Sequence, residues 1–154
     1  MKSTILTLSS LFLAAASTTA RARDLQLHEC PAAVQSTVEA NSRGGVIDEV
    51  DLISIEGKEI YIAEVDLPRD LDLKVYVSGN GSLLKTREDI SPQSMPSFIR
   101  DAVREHGGTI DDVEKEISGS TVTWHVEIDR KGMPDMKVVL NAEGGVISET
   151  EDHD

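Results

Sequence analysis

The sequence predicts an α+β fold of two tandem repeats, each one helix packed on a four-stranded antiparallel sheet. Three observations predict it. The chain repeats itself: shifted by 63 positions, the segment 44–89 lies on 107–152 without a gap. Gly44-Gly45-Val46-Ile47-Asp48-Glu49-Val50 then falls on Gly107-Gly108-Thr109-Ile110-Asp111-Asp112-Val113, Tyr61 on Trp124, Glu64 on Glu127, and Gly81 on Gly144. Such a period is too long for a solenoid repeat and suits one small α+β unit. Before each copy a proline opens an apolar stripe at helical spacing. After each helix come runs of alternating apolar and polar residues, the order expected when helices and antiparallel strands segregate.

The first residues read as a secretory leader, residues 1–22. Lys2 supplies a positive start, Ile5 to Ala16 a short apolar stretch, and Ala20-Arg21-Ala22 a small-residue cleavage site. The stretch is shorter than the ~20 apolar residues of a membrane-spanning helix. The mature chain is expected to begin near Arg23, outside the cytoplasm, and to stay off the membrane after cleavage.

Pro31 opens the first helix, where its missing N–H is not needed. Ala33, Val34, Thr37 and Val38 give the stripe, and Gly44-Gly45 stops it. Four strands are predicted next. Val46 to Ile55 alternates imperfectly. Glu59 to Asp66 places Tyr61, Ala63 and Val65 on one face and Ile60, Ile62 and Glu64 on the other. Leu71 to Ser78 turns Leu73, Val75 and Val77 inward and Asp72, Lys74 and Tyr76 outward. Gly79-Asn80-Gly81 is a hairpin turn leading into Ser82 to Arg87. Ser91-Pro92-Gln93-Ser94-Met95 reads as a stiff linker. Pro96 then opens the second helix, with Phe98, Ile99, Ala102 and Val103 as its stripe, ending at Gly107-Gly108. Strands over Thr109–Ile117, Thr121–Asp129, Asp135–Asn141 and Gly145–Thr150 complete the second unit, and Glu149 to Asp154 reads as an acidic tail.

The net charge of −13 argues against nucleic acid and anionic lipid as partners. It leaves solubility, a basic partner or divalent cations as its uses. The single cysteine, Cys30, excludes an intrachain disulfide, so the fold must stand on its core. Cys30 reads as a partly buried small residue before a helix; a disulfide between two copies is the alternative.

The pattern Pro31-x-x-Val34, Gly45-x-Ile47-x-x-Val50, then Tyr61 with Glu64-x-Asp66, Asp72-x-Lys74-Val75 and Gly81 resembles the PepSY-like family. It is similar in particular to the secreted bacterial β-lactamase-inhibitor-like, PepSY-like proteins. The second copy carries a matching pattern, in which Trp124 stands in place of the tyrosine and Ile99 in place of Val34. The resemblance divides the chain into a leader (1–22), a first repeat (23–90), a linker (91–95) and a second repeat with an acidic tail (96–154). It implies export to the periplasm or cell surface, no enzymatic activity, and a protein partner, with inhibition or regulation of an extracytoplasmic enzyme as the role. It transfers no catalytic or binding residues.

Candidate residues follow from the strand alternation. Glu64/Lys74 and Glu127/Lys137, each ten residues apart on neighbouring strands, are expected to face one another on the outward side. Ile62, Tyr76 and His125, with Ile60 and Val139, fall on that same face, where apolar residues suit a protein partner. These seven, Ile62, Glu64, Lys74, Tyr76, His125, Glu127 and Lys137, are the candidate contact set. A helix or loop covering that face is the competing expectation. Tyr61 and Trp124 read as core aromatics.

No catalytic constellation is visible: neither a serine elbow, nor H-E-x-x-H, nor a phosphate loop. No metal site or cofactor is assigned, although Asp66, Asp70 and Asp72 on one turn, and the acidic surplus generally, leave a periplasmic cation-binding or cation-responsive protein as the second functional reading.

Overall fold

The computed structural model describes residues 21–152. The predicted leader lies outside the described residues except for Arg21 and Ala22, whose backbone opens the first strand. Nine strands run in order: β1 (Arg21–Leu25), β2 (Val46–Ile55), β3 (Lys58–Leu67), β4 (Leu71–Ser78), β5 (Leu83–Asp89), β6 (Thr109–Ser118), β7 (Thr121–Asp129), β8 (Asp135–Asn141) and β9 (Val146–Asp152). Helix α1 (Ala32–Asn41) lies between β1 and β2, and α2 (Ser97–Val103) between β5 and β6.

All nine strands form one antiparallel sheet, each hydrogen-bonded to its neighbours in sequence. This corrects the expected fold. The described residues form a single nine-stranded sheet carrying two short helices, not two separate helix-on-four-strand repeats. The reason lies at the centre, where β5 pairs with β6 from Thr86↔Ile117 to Asp89↔Glu114 and carries the sheet across the expected boundary. A strand edge is a row of unpaired N–H and C=O groups, and pairing β5 with β6 removes two such edges. The ninth strand, β1, was not predicted. It pairs with β2 from Arg21↔Ser54 to Leu25↔Val50.

One face of the sheet carries both helices and two apolar clusters. In the first, Val34 and Val38 of α1 meet Val50, Tyr61, Ala63, Val65, Leu73, Val75 and Val77. In the second, Ile99 and Val103 of α2 meet Val113, Trp124, Val126, Ile128, Met136, Val138 and Leu140. Tyr61 and Trp124 are core residues, at 4% and 8% exposure. The imperfect alternation of β2 is a bulge between Ile47 and Val50, which turns both residues inward. β6 has the same irregularity between Ile110 and Asp112.

Cys30 is buried against the first cluster, and its thiol donates to the Gln26 carbonyl oxygen at 3.7 Å. Burial, then the neighbouring Glu29 charge, pushes that thiol up. The segment 91–95 is a hydrogen-bonded turn, Ser94 N–H to Ser91 carbonyl at 2.8 Å, that delivers Met95 into the second cluster. Glu149, Glu151 and Asp152 of the expected acidic tail belong to β9, and residues 153–154 lie outside the described residues. Among the described residues no helix is long and apolar enough to cross a membrane.

Candidate functional site: the helix-free face of the sheet

Side chains alternate across a strand, so residues flanking the core positions must share the opposite face. Tyr61, Ala63 and Val65 are buried on β3, which sends Ile62 and Glu64 to the other side. Likewise β4 presents Lys74 and Tyr76, β5 Lys85 and Arg87, β6 Glu114 and Glu116, β7 His125 and Glu127, and β8 Lys137 and Val139. Both helices pack on the core side, so among the described residues no helix covers this face.

The predicted pairs are in register: Glu64 stands opposite Lys74, and Glu127 opposite Lys137. Lys74 Nζ reaches Glu64 Oε1 at 3.1 Å, and that hydrogen bond holds the Lys74 ammonium above its usual range. Lys137 leans away from Glu127, at 4.0 Å, toward Asp152 Oδ2 at 2.6 Å. Ile62 is opposite Tyr76, and His125 opposite Val139. All four are half-buried. The seven predicted residues therefore share one face but form two groups, one on β3–β4 and one on β7–β8.

Between the two groups lies a network that sequence reasoning missed. Arg87 is its centre. Its guanidinium donates to Glu116 Oε2, 3.2 Å from Nε and 3.1 Å from Nη2, and reaches Glu114 Oε2 at 3.3 Å. It also lies 3.3 Å from His125 Nδ1. Lys85 Nζ joins Glu116 at 3.0 Å and sits over the Tyr76 ring, 4.7 Å from its centroid. Tyr76 on β4 is thus linked to His125 on β7 through Lys85, Glu116 and Arg87.

The signal for this network was present. Lys85 and Arg87 alternate on one strand, and Glu114 and Glu116 on another. Reading the linker as a boundary left them without each other as neighbours.

The electrostatics follow from packing. Burial, then the Arg87 charge, holds the His125 imidazole below its ordinary value of 6.5. At Glu116 burial acts upward, but the Lys85 hydrogen bond and the charges of Lys85 and Arg87 outweigh it and hold the carboxyl below the usual range. Glu114 goes the other way: its burial outweighs Arg87 and raises it. Beside Arg87, a depression of about 320 Å³ is lined by Glu114, His125, Glu127, Lys137 and Val139. Charged and apolar groups alternate around it, an arrangement suited to the edge of a protein contact.

Asp66, Asp70 and Asp72 line the β3–β4 turn. Among the described residues no three acids, histidines or cysteines gather in a way that would hold a metal ion.

No family model and no curated relative matches the chain. Solved structures do match its fold. A DUF2874 family protein from Bacteroides uniformis superposes with a TM-score of 0.65 at 19% identity, covering 79% of this chain and 89% of that one. A protein described as "putative periplasmic" from Bacteroides eggerthii gives 0.66 at 11% identity, over 79% and 88% of the two chains. A BLIP-like protein from Bacteroides fragilis gives 0.61 at 14% identity, over 81% and 89%. At these identities the likeness is one of fold. The chain shares the architecture of DUF2874 and BLIP-like proteins.

Proposed function

We propose that this chain is an exported, non-catalytic protein-binding module of the PepSY-like kind, an inhibitor or regulator of an extracytoplasmic enzyme. Its contact surface is the helix-free face. The observation that carries this reading is the composition of that face. Ile62, Tyr76, His125 and Val139 stand on it half-buried among ion pairs, with both described helices on the other side. A sheet face meant only for water needs no such residues. Tyrosine, by contrast, is enriched in protein interfaces, where charged groups gather at the rim around it. Fold likeness to a BLIP-like protein and to a periplasmic one, together with the leader-like residues 1–22, supports export and an inhibitor-like role.

The test is affinity capture from periplasmic extract of the source organism by mature wild type and by Tyr76→Ala. One protein held by wild type and lost by the variant, with the melting temperature within a degree or two, supports the reading. The captured enzyme is then assayed for inhibition. Equal capture by both proteins, or collapse of the variant's stability, removes Tyr76 from the contact set.

A further inference from the structure

On the opposite side of the sheet, α2 and the turn after it leave a pocket of about 410 Å³ against β6 and β7. Met95, Val103, Ile110 and Ile128 line its apolar wall, and Arg100 and Arg104 stand at its rim. Among the described residues those are the only charged side chains in the lining, in a chain of net charge −13.

The first half shows what is unusual here. Pro31 and Pro96 precede the two helices in the same way. Four residues before Pro31 stands Leu27, which packs against the first cluster; four before Pro96 stands Pro92, which lines the pocket. Four and eight residues after Pro31 stand Gln35 and Glu39; the same steps from Pro96 reach Arg100 and Arg104. The second half thus has a smaller ring where the first has a leucine. It has two guanidinium groups where the first has an amide and an acid.

Arg100 Nη2 donates to the Pro92 carbonyl oxygen at 3.0 Å, which holds the guanidinium at the mouth and leaves its other N–H donors for a ligand. Arg104 is tied to Asp101, an exposed residue outside the lining.

We infer that this pocket binds a small amphiphile with an apolar chain and a carboxylate head. The chain lies along Met95, Val103, Ile110 and Ile128, where burying apolar surface drives binding. The head meets Arg100 and Arg104, whose planar forks match a carboxylate. The pocket is large enough for such a ligand. The site lies on the helix side and does not depend on the role of the outer face.

The probe is decanoate, titrated below its micelle concentration into the ¹⁵N-labelled chain, with decanol and decylammonium as controls. Saturable shifts at Met95, Val103, Gly107 and Ile128 are expected, with decanoate binding at least tenfold tighter than decanol and decylammonium weakest. R100Q/R104Q, both at exposed positions, should bring decanoate down to the affinity of decanol. Pro92→Leu, which gives this position the larger side chain found at Leu27, should abolish binding without lowering the melting temperature. Non-saturating shifts, equal affinity for all three probes, or an unchanged affinity in R100Q/R104Q would each overturn the inference.

Discussion

Arg87 on β5 and Glu116 on β6 are both a register pair and an ion pair: they stand opposite one another in the ladder, and Nη2 lies 3.1 Å from Oε2. This contact spans the place where the two halves of the sheet meet, and the side chains are about three-quarters or more buried. Arg87→Met leaves Glu114 and Glu116 close together without their shared cation. A loss of about 1–2 kcal/mol is expected, discounted from fully buried pairs for the remaining exposure. Urea unfolding at pH 7 measures it. Adding Glu116→Gln to Arg87→Met should cost less than the sum of the single changes, because one partner is already gone.

His125 makes stability depend on pH. Its folded value lies below 6.5, so between the two values the unfolded chain binds the proton and the folded chain does not. Stability therefore falls as pH drops through 6.5 and levels off below the folded value. His125→Gln should remove this segment of the curve and leave the plateau above pH 7.5 nearly unchanged. Melting temperatures across pH 5–8 for both proteins check it; parallel curves would refute the assignment.

Asp24 and Asp51 face each other across β1 and β2. Burial, then a hydrogen bond with Asp24, raises Asp51 above its ordinary value of 3.8. The sign is opposite to that of a salt-bridged acid: the folded chain binds the proton more readily, so this pair destabilises at neutral pH and is relieved on acidification. Asp51→Asn should stabilise by roughly 0.2–1 kcal/mol at pH 7, the usual scale of a cross-strand pair. The gain should vanish near pH 3.5. Hydrogen exchange of the β1 amides gives a local readout, with protection rising in the variant.

Gly81 and Gly144 both sit at φ +87° in corresponding hairpin turns, yet they are not equally replaceable. A Cβ on Gly81 would come within 2.6 Å of Ala33 Cβ and 2.9 Å of its backbone; on Gly144 it would meet the half-exposed Phe98 ring at 2.9 Å. Thr37 also fastens its hydroxyl to the Gly81 carbonyl at 2.6 Å, so the turn cannot back away from α1 cheaply. Both alanine variants carry the left-handed penalty of about 1–2 kcal/mol. Gly81→Ala should cost about 1 kcal/mol more than Gly144→Ala, because a helix backbone yields less than a surface ring. Thermal unfolding of the two variants compares them directly.

Much of the local structure could be read from the residues. The two-residue period of β3, β4, β7 and β8 divided core from outer face, because a pleated strand sends alternate side chains to opposite sides. Short turns of known length then placed Glu64 opposite Lys74 and Glu127 opposite Lys137. Within a hairpin, register is a local property. The candidate contact residues consequently fell on one face, although the network joining them did not emerge.

What stayed hidden was which strand edges find each other. β1 holds the same place beside β2 that β5 holds beside β6: Asp24 stands opposite Asp51 as Asp89 stands opposite Glu114. Nothing in the periodicity of residues 21–25 or 83–89 announces those partners, since each lies across a helix in the chain. The two halves become one sheet because the backbone groups of β5 and β6 satisfy each other, with Arg87 clasping the acids of the neighbouring strand. Amphipathic pattern is written residue by residue, whereas the pairing of edges is settled by hydrogen bonds and charges that meet only when the distant strands are side by side.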